Sequence, residues 1–157
     1  MMISREDILL AQKTWGDAIV EIGRLKEKRE VCEKVTLEIL ERLYALDRGI
    51  ILFKPTKAAV VPFRTCKSSV KSYFIGGDDQ YEEDDGFALQ PWTGVRFENE
   101  GIILEENRAI VMGHYYFINS NGEEMKVEFT MGYFKDASGM LKIDLHHSSI
   151  PFCRKNQ

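Results

Sequence analysis

The chain has 157 residues, of which 44% are hydrophobic and 29% are charged, and its formal net charge is −4. This length and composition are typical of one globular domain with one core, so we expect residues 1–157 to form a single domain. The acidic balance, without a dense cluster of Lys and Arg, argues against nucleic-acid binding, and no apolar run approaches the length of a membrane span.

The N-terminal residues and the cysteines predict a cytoplasmic protein. Residues 1–7 lack the basic segment and the apolar stretch of a secretory signal. Cys32, Cys66 and Cys153 are odd in number and far apart, which indicates neither a disulfide framework nor a metal site built on two closely spaced cysteines. We therefore expect reduced thiols in a reducing compartment.

Two helices are predicted at the start of the chain. Ser4 followed by Asp7 is typical of a capping pair, and apolar residues then recur at helical spacing over residues 8–22, which places Trp15 in the core. A second and broader apolar face covers residues 31–44, and Gly49 is expected to end that helix.

The middle of the chain gives weaker signals. Residues 50–53 form a short apolar run that ends before Pro55, and residues 58–62 follow as another extended piece. Both are predicted as short strands or loop. Residues 65–74 have helical spacing, and the glycines at positions 76 and 77 must end any helix there.

A strongly acidic segment follows. Residues 78–85 carry six carboxylates, whose mutual repulsion favours an exposed loop, and their spacing lacks the alternating ligands of a calcium loop. Arg64, near Lys67 and Lys71, is a candidate for attracting a small anion, although a solvated helix face is the simpler interpretation of the two lysines.

The rest of the chain is predicted as strands, over residues 93–99, 101–105, 108–119, 123–134 and 140–149. Asn121-Gly122 is a strong hairpin signal, and residues 136–139 form the next turn, so the strands should pair as an antiparallel meander. Both alternating sets of residues 109–117 are largely apolar, which predicts a strand covered on both faces. Helices followed by strands indicate an α+β fold, with the N-terminal helices packed on a strongly curved antiparallel sheet that forms a cone-shaped open barrel.

The last strand carries the side chains best suited to chemistry. Simple alternation puts His147 and Ser149 on the same face as its apolar residues, with His146 and Ser148 on the other, and a bulge would exchange the two pairs. Imidazole suits proton transfer near neutral pH, but the same residues also suit the satisfaction of backbone groups at a strand end. Adjacent strand residues point apart, so we expect no zinc site with three histidines, although carboxylates stay open as metal ligands. No other motif for a nucleophile and no cofactor motif is present.

Several motifs together resemble the iota-class carbonic anhydrases. They are YFIGG at residues 73–77, DGFA at 85–88, PW at 91–92, MGHYYF at 112–117 and HHSSIP at 146–151. The resemblance covers nearly the whole chain. It implies a nuclear transport factor 2-like cone fold, related to the association domain of calcium/calmodulin-dependent protein kinase.

The resemblance also implies an activity and a site. The activity is the reversible hydration of carbon dioxide to bicarbonate, in some members without a metal ion, in a pocket lined by Thr, Tyr, Ser and His. The matching catalytic positions are Thr56, Tyr73, His147, Ser149, His146 and Ser148. In this hypothesis hydroxyl groups bind water and bicarbonate oxygens and one imidazole accepts and returns the proton, without a metal or another cofactor. Phe87 and Trp92 are expected to house carbon dioxide.

Two other classes of function stay open from the residues alone. One is a non-catalytic oligomeric association module, in which exposed aromatic residues such as Tyr115 or Phe134 would form the interface. The other is a small-molecule isomerase or dehydratase that uses His and Asp144 as acid and base. A homodimer is compatible with all three functions, and we expect one.

Overall fold

The computed structural model describes residues 2–155 as three helices packed against one five-stranded sheet. The helices are α1 (Arg5–Arg24), α2 (Arg29–Leu43) and α3 (Lys67–Ile75), with short 3-10 helices at Leu46–Arg48 and Phe87–Leu89. The strands are β1 (Leu52–Lys54), β2 (Trp92–Leu104), β3 (Arg108–Asn119), β4 (Glu124–Lys135) and β5 (Leu141–Ser149). No helix within these residues has the length and apolar character of a membrane span.

The sheet has the strand order β1-β5-β4-β3-β2 and is open, with β1 and β2 at its two edges. The long strands β2 to β5 form the antiparallel meander that the turn residues predict. β1 pairs with β5 in parallel, so the sheet is mixed rather than wholly antiparallel. The α+β class is confirmed. The parallel pairing is a consequence of connectivity, because β1 precedes α3 and joins the sheet beside its last strand.

The first helix forms as the sequence predicts. The Ser4 hydroxyl accepts the amide of Asp7, and the Asp7 carboxylate accepts the amide of Ser4, so two otherwise unpaired donors of the first turn are satisfied. Trp15 is only 2% exposed, in the core, which confirms its predicted place. On the same helix, Gln12 exchanges two side-chain hydrogen bonds with Asn99, which ties α1 to β2.

The end of the second helix differs from the prediction. α2 stops at Leu43, where Tyr44 turns to an extended backbone and forms a parallel bridge with Ile143 of β5. Gly49 instead ends the short 3-10 helix that follows, at a φ of 120°. The helical spacing that continued through Tyr44 therefore reflects burial of that ring beside the sheet and not another turn of helix.

Residues 58–62, predicted as a short strand or loop, form a loop without a strand. The Glu83 carboxylate holds this loop in place, because it accepts hydrogen bonds from the successive amides of Ala59, Val60 and Val61, at 2.7 to 3.1 Å. Those hydrogen bonds also depress the pKa of Glu83 below its usual value. One carboxylate of the acidic segment is thus a structural clamp for the loop that follows β1.

A second carboxylate of that segment is buried in an ion pair. The Asp84 carboxylate accepts hydrogen bonds from the two terminal guanidinium nitrogens of Arg64, at 2.7 and 2.8 Å. Neither side chain has any exposed surface. Arg64 also donates to the carbonyl oxygens of Val61 and Ser69. The acidic segment is a loop, as predicted, but it is not fully solvated, because Asp84 is buried with Arg64. The interpretation of Arg64 as free to attract a small anion is wrong, since this carboxylate is already its partner.

β3 has one buried and one exposed face, and not two covered faces. Tyr115 is 1% exposed, whereas Ile110 is 38% and Met112 is 58% exposed on the opposite side of the sheet. The predicted place of Tyr115 in an interface is wrong, because its ring points into the core. Phe134 is half-buried, and the Arg48 guanidinium lies 3.9 Å from its ring centroid.

Candidate active site

A β-bulge in the last strand decides which His and Ser face the core. Gly132 of β4 pairs with Leu145, whereas the next residue, Tyr133, pairs with Ile143, so Asp144 is an extra residue in β5. After the bulge His146 and Ser148 are buried, whereas His147 is exposed. The alternation that favoured His147 and Ser149 as the inward pair is therefore wrong, and the exchange that a bulge produces is what the structure shows.

His146 and Ser148 lie in a buried cluster of polar groups in an otherwise apolar core. The Tyr44 hydroxyl is 2.8 Å from Nδ1 of His146, and the Tyr115 hydroxyl is 3.0 Å from Nε2 of the same ring. Tyr115 Oη is also 2.6 Å from Ser148 Oγ, which in turn is 2.6 Å from Thr56 Oγ1. Four elements thus bring one imidazole and four hydroxyl groups into a continuous hydrogen-bonded cluster.

Tyr73 and Thr56 lie at the outer end of this cluster. Tyr73 is on α3, and its hydroxyl oxygen accepts the amide of Lys57 at 3.1 Å. Thr56 is on the loop that follows β1 and is 9% exposed. Because Tyr73 Oη accepts a backbone donor, its own O–H is polarised and well suited to donate. The structure therefore brings together Thr56, Tyr73, His146 and Ser148, four of the six predicted catalytic residues.

The electrostatics of the cluster favour neutral groups throughout. Burial, with a smaller contribution from His147, lowers the pKa of His146 to about 3, so the imidazole is neutral at neutral pH. Burial likewise raises the pKa values of Tyr73 and Tyr115 above the usual value of a phenol. At neutral pH the cluster therefore presents protonated hydroxyl groups and a neutral imidazole, which donate and accept hydrogen bonds but carry no net charge.

A cavity of about 250 Å³ opens beside Tyr73. Its lining consists of Lys26, Lys57, Tyr73, Glu83, Asp84, Asp85, Gly86, Phe87, Leu89 and Gln90. The Phe87 ring stacks on Tyr73 with the centroids 5.5 Å apart, and Trp92 lies behind Phe87 and donates its indole N–H to the Phe87 carbonyl oxygen. Of the two predicted substrate-binding residues, Phe87 lines the cavity and Trp92 supports it from the core.

The other predicted residues of the last strand lie across the sheet from this cluster. His147 and Ser149 line a groove on the outer face, together with Met112 and Glu128. Asp144, the acid or base of the isomerase alternative, pairs with Arg108 at the bulge, with the nearest atoms 2.7 Å apart. None of these three side chains, His147, Ser149 and Asp144, belongs to the cluster with Thr56 and Tyr73.

Sequence reasoning missed Tyr44 and Tyr115 as members of the site. Both occupy positions of apolar periodicity, which indicates a helix face for Tyr44 and an interface for Tyr115. A signal was nevertheless present, because a buried tyrosine hydroxyl normally finds a hydrogen-bond partner and few polar side chains are available inside this chain. Within residues 2–155 no group of three or more His, Cys, Asp or Glu side chains is arranged to hold a metal ion.

Comparison with known proteins places this geometry in a family. The sequence profile described as metal-independent carbonic anhydrase matches residues 6–150. This chain belongs to that family. A metal-independent carbonic anhydrase from Nostoc sp. strain PCC 7120 is 36% identical over 154 residues, which cover 96% of this chain and 75% of the relative.

The structures of the family and of its fold agree with this assignment. The iota-carbonic anhydrase from a cyanobacterium, complexed with bicarbonate, aligns with a TM-score of 0.93 and 33% identity, over 98% of this chain and 95% of that one. A protein from Xanthomonas campestris described as a calcium/calmodulin-dependent protein kinase II association domain has a TM-score of 0.63 and 20% identity, over 96% and 91% of the two chains. A dehydratase-like protein of the nuclear transport factor 2-like family from Streptomyces avermitilis has a TM-score of 0.57 and 14% identity, over 94% and 96%. The last two show the fold alone.

Proposed function

We propose that this metal-independent carbonic anhydrase family member catalyses the reversible hydration of carbon dioxide to bicarbonate at the cluster of Thr56, Tyr73, His146 and Ser148. The observation that carries the proposal is a cluster of buried hydroxyl groups beside a cavity that Tyr73 and Lys57 line, in a fold that a bicarbonate complex matches with a TM-score of 0.93. The cavity volume of about 250 Å³ is ample for a molecule of three or four heavy atoms.

The chemistry needs donors aimed at oxygen. When water attacks the carbon of carbon dioxide, a new C–O bond forms, one C–O double bond loses its π pair to oxygen, and one proton leaves the water. Tyr73 and Thr56 hydroxyl groups donate hydrogen bonds to the oxygen on which negative charge develops, as an oxyanion hole does. The proton leaves to solvent through the open mouth of the cavity. Phe87 packs against the apolar substrate.

The role of the imidazole changes from the one predicted for it. His146 is the inward imidazole, but its lowered pKa and its two occupied ring nitrogens make it a poor acceptor for the proton of water. His147 is exposed on the outer face. We therefore assign His146 to holding the hydroxyl groups in place, and not to general base catalysis.

A hydration assay on chelator-treated protein tests this function. We expect the parent to retain its activity after treatment. The hydration rate of Ser148→Ala should be about tenfold lower, because the hydrogen bond that holds Thr56 is gone. Ser149→Ala removes a neighbouring hydroxyl on the outer face and should leave the rate unchanged.

Three results would contradict the proposal. They are a parent with no activity above buffer, activity that returns only when one specific metal is added back, and equal rates for Ser148→Ala and Ser149→Ala. The melting temperatures of both variants should be compared with that of the parent, so that a lower rate caused by unfolding is distinguished from a catalytic effect.

The outer face of the sheet supports a homodimer, which we propose as the assembly. Three large apolar side chains that lie close together on β2 and β3, Ile103, Ile110 and Met112, are 63%, 38% and 58% exposed. Apolar surface of this kind marks an interaction site more often than scattered single residues do. The candidate catalytic cluster lies on the opposite side of the sheet, so pairing through this face leaves the cavity open.

Met112→Lys should dissociate such a dimer, because it places a charge in the centre of the interface. Analytical ultracentrifugation should then show the parent near 36 kDa, twice the 18.1 kDa chain mass, and the variant near the mass of one chain. Val31→Lys is the matched control, since Val31 is also an exposed apolar residue but lies on α2. A parent that sediments as one chain, or a dimer that survives Met112→Lys unchanged, would exclude this interface.

We also propose a cytoplasmic location. Cys32, Cys66 and Cys153 are all free thiols, and free thiols suit a reducing compartment. Cell fractionation followed by immunoblotting tests this location, and recovery of the protein in any other fraction would contradict it.

A further inference from the structure

The hydrogen bonds of the cluster have a direction that begins at Trp15. Its indole Nε1–H lies 3.0 Å from Tyr44 Oη, and an indole nitrogen donates a hydrogen bond but never accepts one. Trp15 therefore donates to Tyr44. The Tyr44 hydroxyl must send its own proton elsewhere.

The second partner of Tyr44 settles where that proton goes. Among residues 2–155, the hydrogen-bond partners of Tyr44 Oη are Trp15 and Nδ1 of His146, the latter at 2.8 Å. Tyr44 is 1% exposed, so a hydroxyl proton without an acceptor would be buried at a considerable cost. Tyr44 therefore donates to Nδ1, and Nδ1 carries no proton.

The rest of the direction follows from the imidazole. A neutral imidazole that accepts at Nδ1 carries its proton on Nε2, so His146 donates to Tyr115 Oη across 3.0 Å. Tyr115 then donates to Ser148 Oγ, and Ser148 donates to Thr56 Oγ1, across 2.6 Å in each case. Each of these hydroxyl protons points away from Trp15 and toward Thr56, whose neighbour in the chain, Lys57, lines the cavity.

The surroundings of His146 keep it neutral, as this direction requires. Aromatic rings enclose the imidazole: Phe53 stacks on it with the centroids 4.7 Å apart, and the Trp15 ring meets it edge-on at 5.6 Å. In a charged imidazolium, Nδ1 would also carry a proton and would donate to Tyr44 Oη, which already accepts the Trp15 N–H. The Tyr44 O–H would then have no acceptor. The enclosed, uncharged setting and the tautomer are therefore mutually consistent.

We propose that Tyr44, with Trp15 behind it, is a positioning residue that fixes the Nε2–H tautomer of His146 and so aims the Thr56 hydroxyl proton at the substrate oxygen. The expected effect on kcat rests on the proposed function, whereas the assignment of the tautomer does not. In the reversed direction, Thr56 would turn its proton toward Ser148 and present a lone pair to the cavity. A lone pair there would repel the oxygen on which negative charge develops.

The tautomer of the parent protein is the first test. Two-bond nitrogen–proton correlation spectra of protein labelled with 15N at histidine distinguish the Nε2–H from the Nδ1–H form. The chain has three histidines, and His114→Gln and His147→Gln, both on the outer face, identify the signal of His146 by elimination. We expect the Nε2–H form. A dominant Nδ1–H form would overturn the proposal, whether or not the protein is active.

Tyr44→Phe is the second test, with Tyr133→Phe as its matched control. Both residues are buried tyrosines, but the Tyr133 hydroxyl donates to the Met131 sulfur, outside the chain that begins at Trp15. We expect Tyr44→Phe to populate both tautomers of His146 and to lower kcat about tenfold while KM stays within about twofold. Tyr133→Phe should change neither the tautomer nor kcat.

Equal tautomer ratios and equal kcat values in Tyr44→Phe and Tyr133→Phe would overturn the proposal. If the parent shows no hydration activity, the proposed function fails, whereas the tautomer spectra still decide this inference. If Tyr44→Phe does not fold, the spectrum of the parent decides it alone.

Discussion

We expect Tyr73→Phe to lower the rate of carbon dioxide hydration by about 10²–10³-fold, which is the usual cost of removing one preorganised donor from an oxyanion hole. The substitution removes only the hydroxyl. The ring keeps its stacking on Phe87 and its edge contact with Phe53, at centroid distances of 5.5 and 6.0 Å. The Lys57 amide loses its acceptor, but Lys57 is exposed and water can replace the hydroxyl there. Stopped-flow hydration assays measure the effect.

The control for this variant is again Tyr133→Phe, which removes a hydroxyl of similar burial away from the cavity. Circular dichroism and thermal melting should show the two variants folded alike. A Tyr73→Phe rate within about threefold of the Tyr133→Phe rate would mean that the Tyr73 hydroxyl does not meet the developing charge, since a donor to that charge is worth far more.

We expect Asp84→Ala to reduce the free energy of unfolding by about 3–5 kcal/mol, because it removes the buried carboxylate that makes both short contacts with the buried Arg64 guanidinium. Arg64 has no exposed surface, and its remaining partners are two backbone carbonyl groups and the Glu83 carboxylate, which lies 3.7 Å away and already accepts backbone amides. Ser72, which donates to the same carboxylate at 2.6 Å, loses its acceptor as well. Urea denaturation monitored by fluorescence measures the change.

Asp79→Ala is the matched control, since Asp79 is an exposed carboxylate in the same acidic segment, and its loss should leave stability unchanged. A double variant, Arg64→Met with Asp84→Leu, should lose less stability than the sum of its two single variants, because no uncompensated charge then stays buried. A loss below about 1 kcal/mol for Asp84→Ala would show that Arg64 finds water or another partner.

The fold was predictable where the sequence carries a local signal. The Ser4–Asp7 cap, the apolar face through Trp15 and the Asn121-Gly122 turn each specify their structure within a few residues. The parallel place of β1 was not predictable in this way, because it depends on a pairing with β5, about 90 residues along the chain. The Arg64–Asp84 pair is likewise a long-range contact between two segments that look solvated on their own.

The site was predictable in its residue types and only partly in its geometry. Thr56 and Tyr73 came from the family resemblance, and the structure brings both to the cluster. The face of the last strand could not be predicted, because alternation assumes a regular strand and the extra residue at Asp144 is invisible in composition. Tyr44 and Tyr115 were not predicted as members of the cluster, because a tyrosine in an apolar pattern does not reveal which residue its hydroxyl group contacts.

The bulge at Asp144 has a consequence for how this strand tolerates insertions and deletions. Removing Asp144 would restore regular alternation and leave His146 and Ser148 inward, because Leu145 and His146 keep their partners Gly132 and Met131. Loss of the bulge with every residue kept would instead slip the strand end by one residue and turn His147 and Ser149 inward. Because the strand end repeats each residue type, an imidazole would still precede a hydroxyl by two positions on the inner face. A one-residue slip, which in most strands replaces the side chains of a site by unrelated ones, would here exchange each side chain for its duplicate.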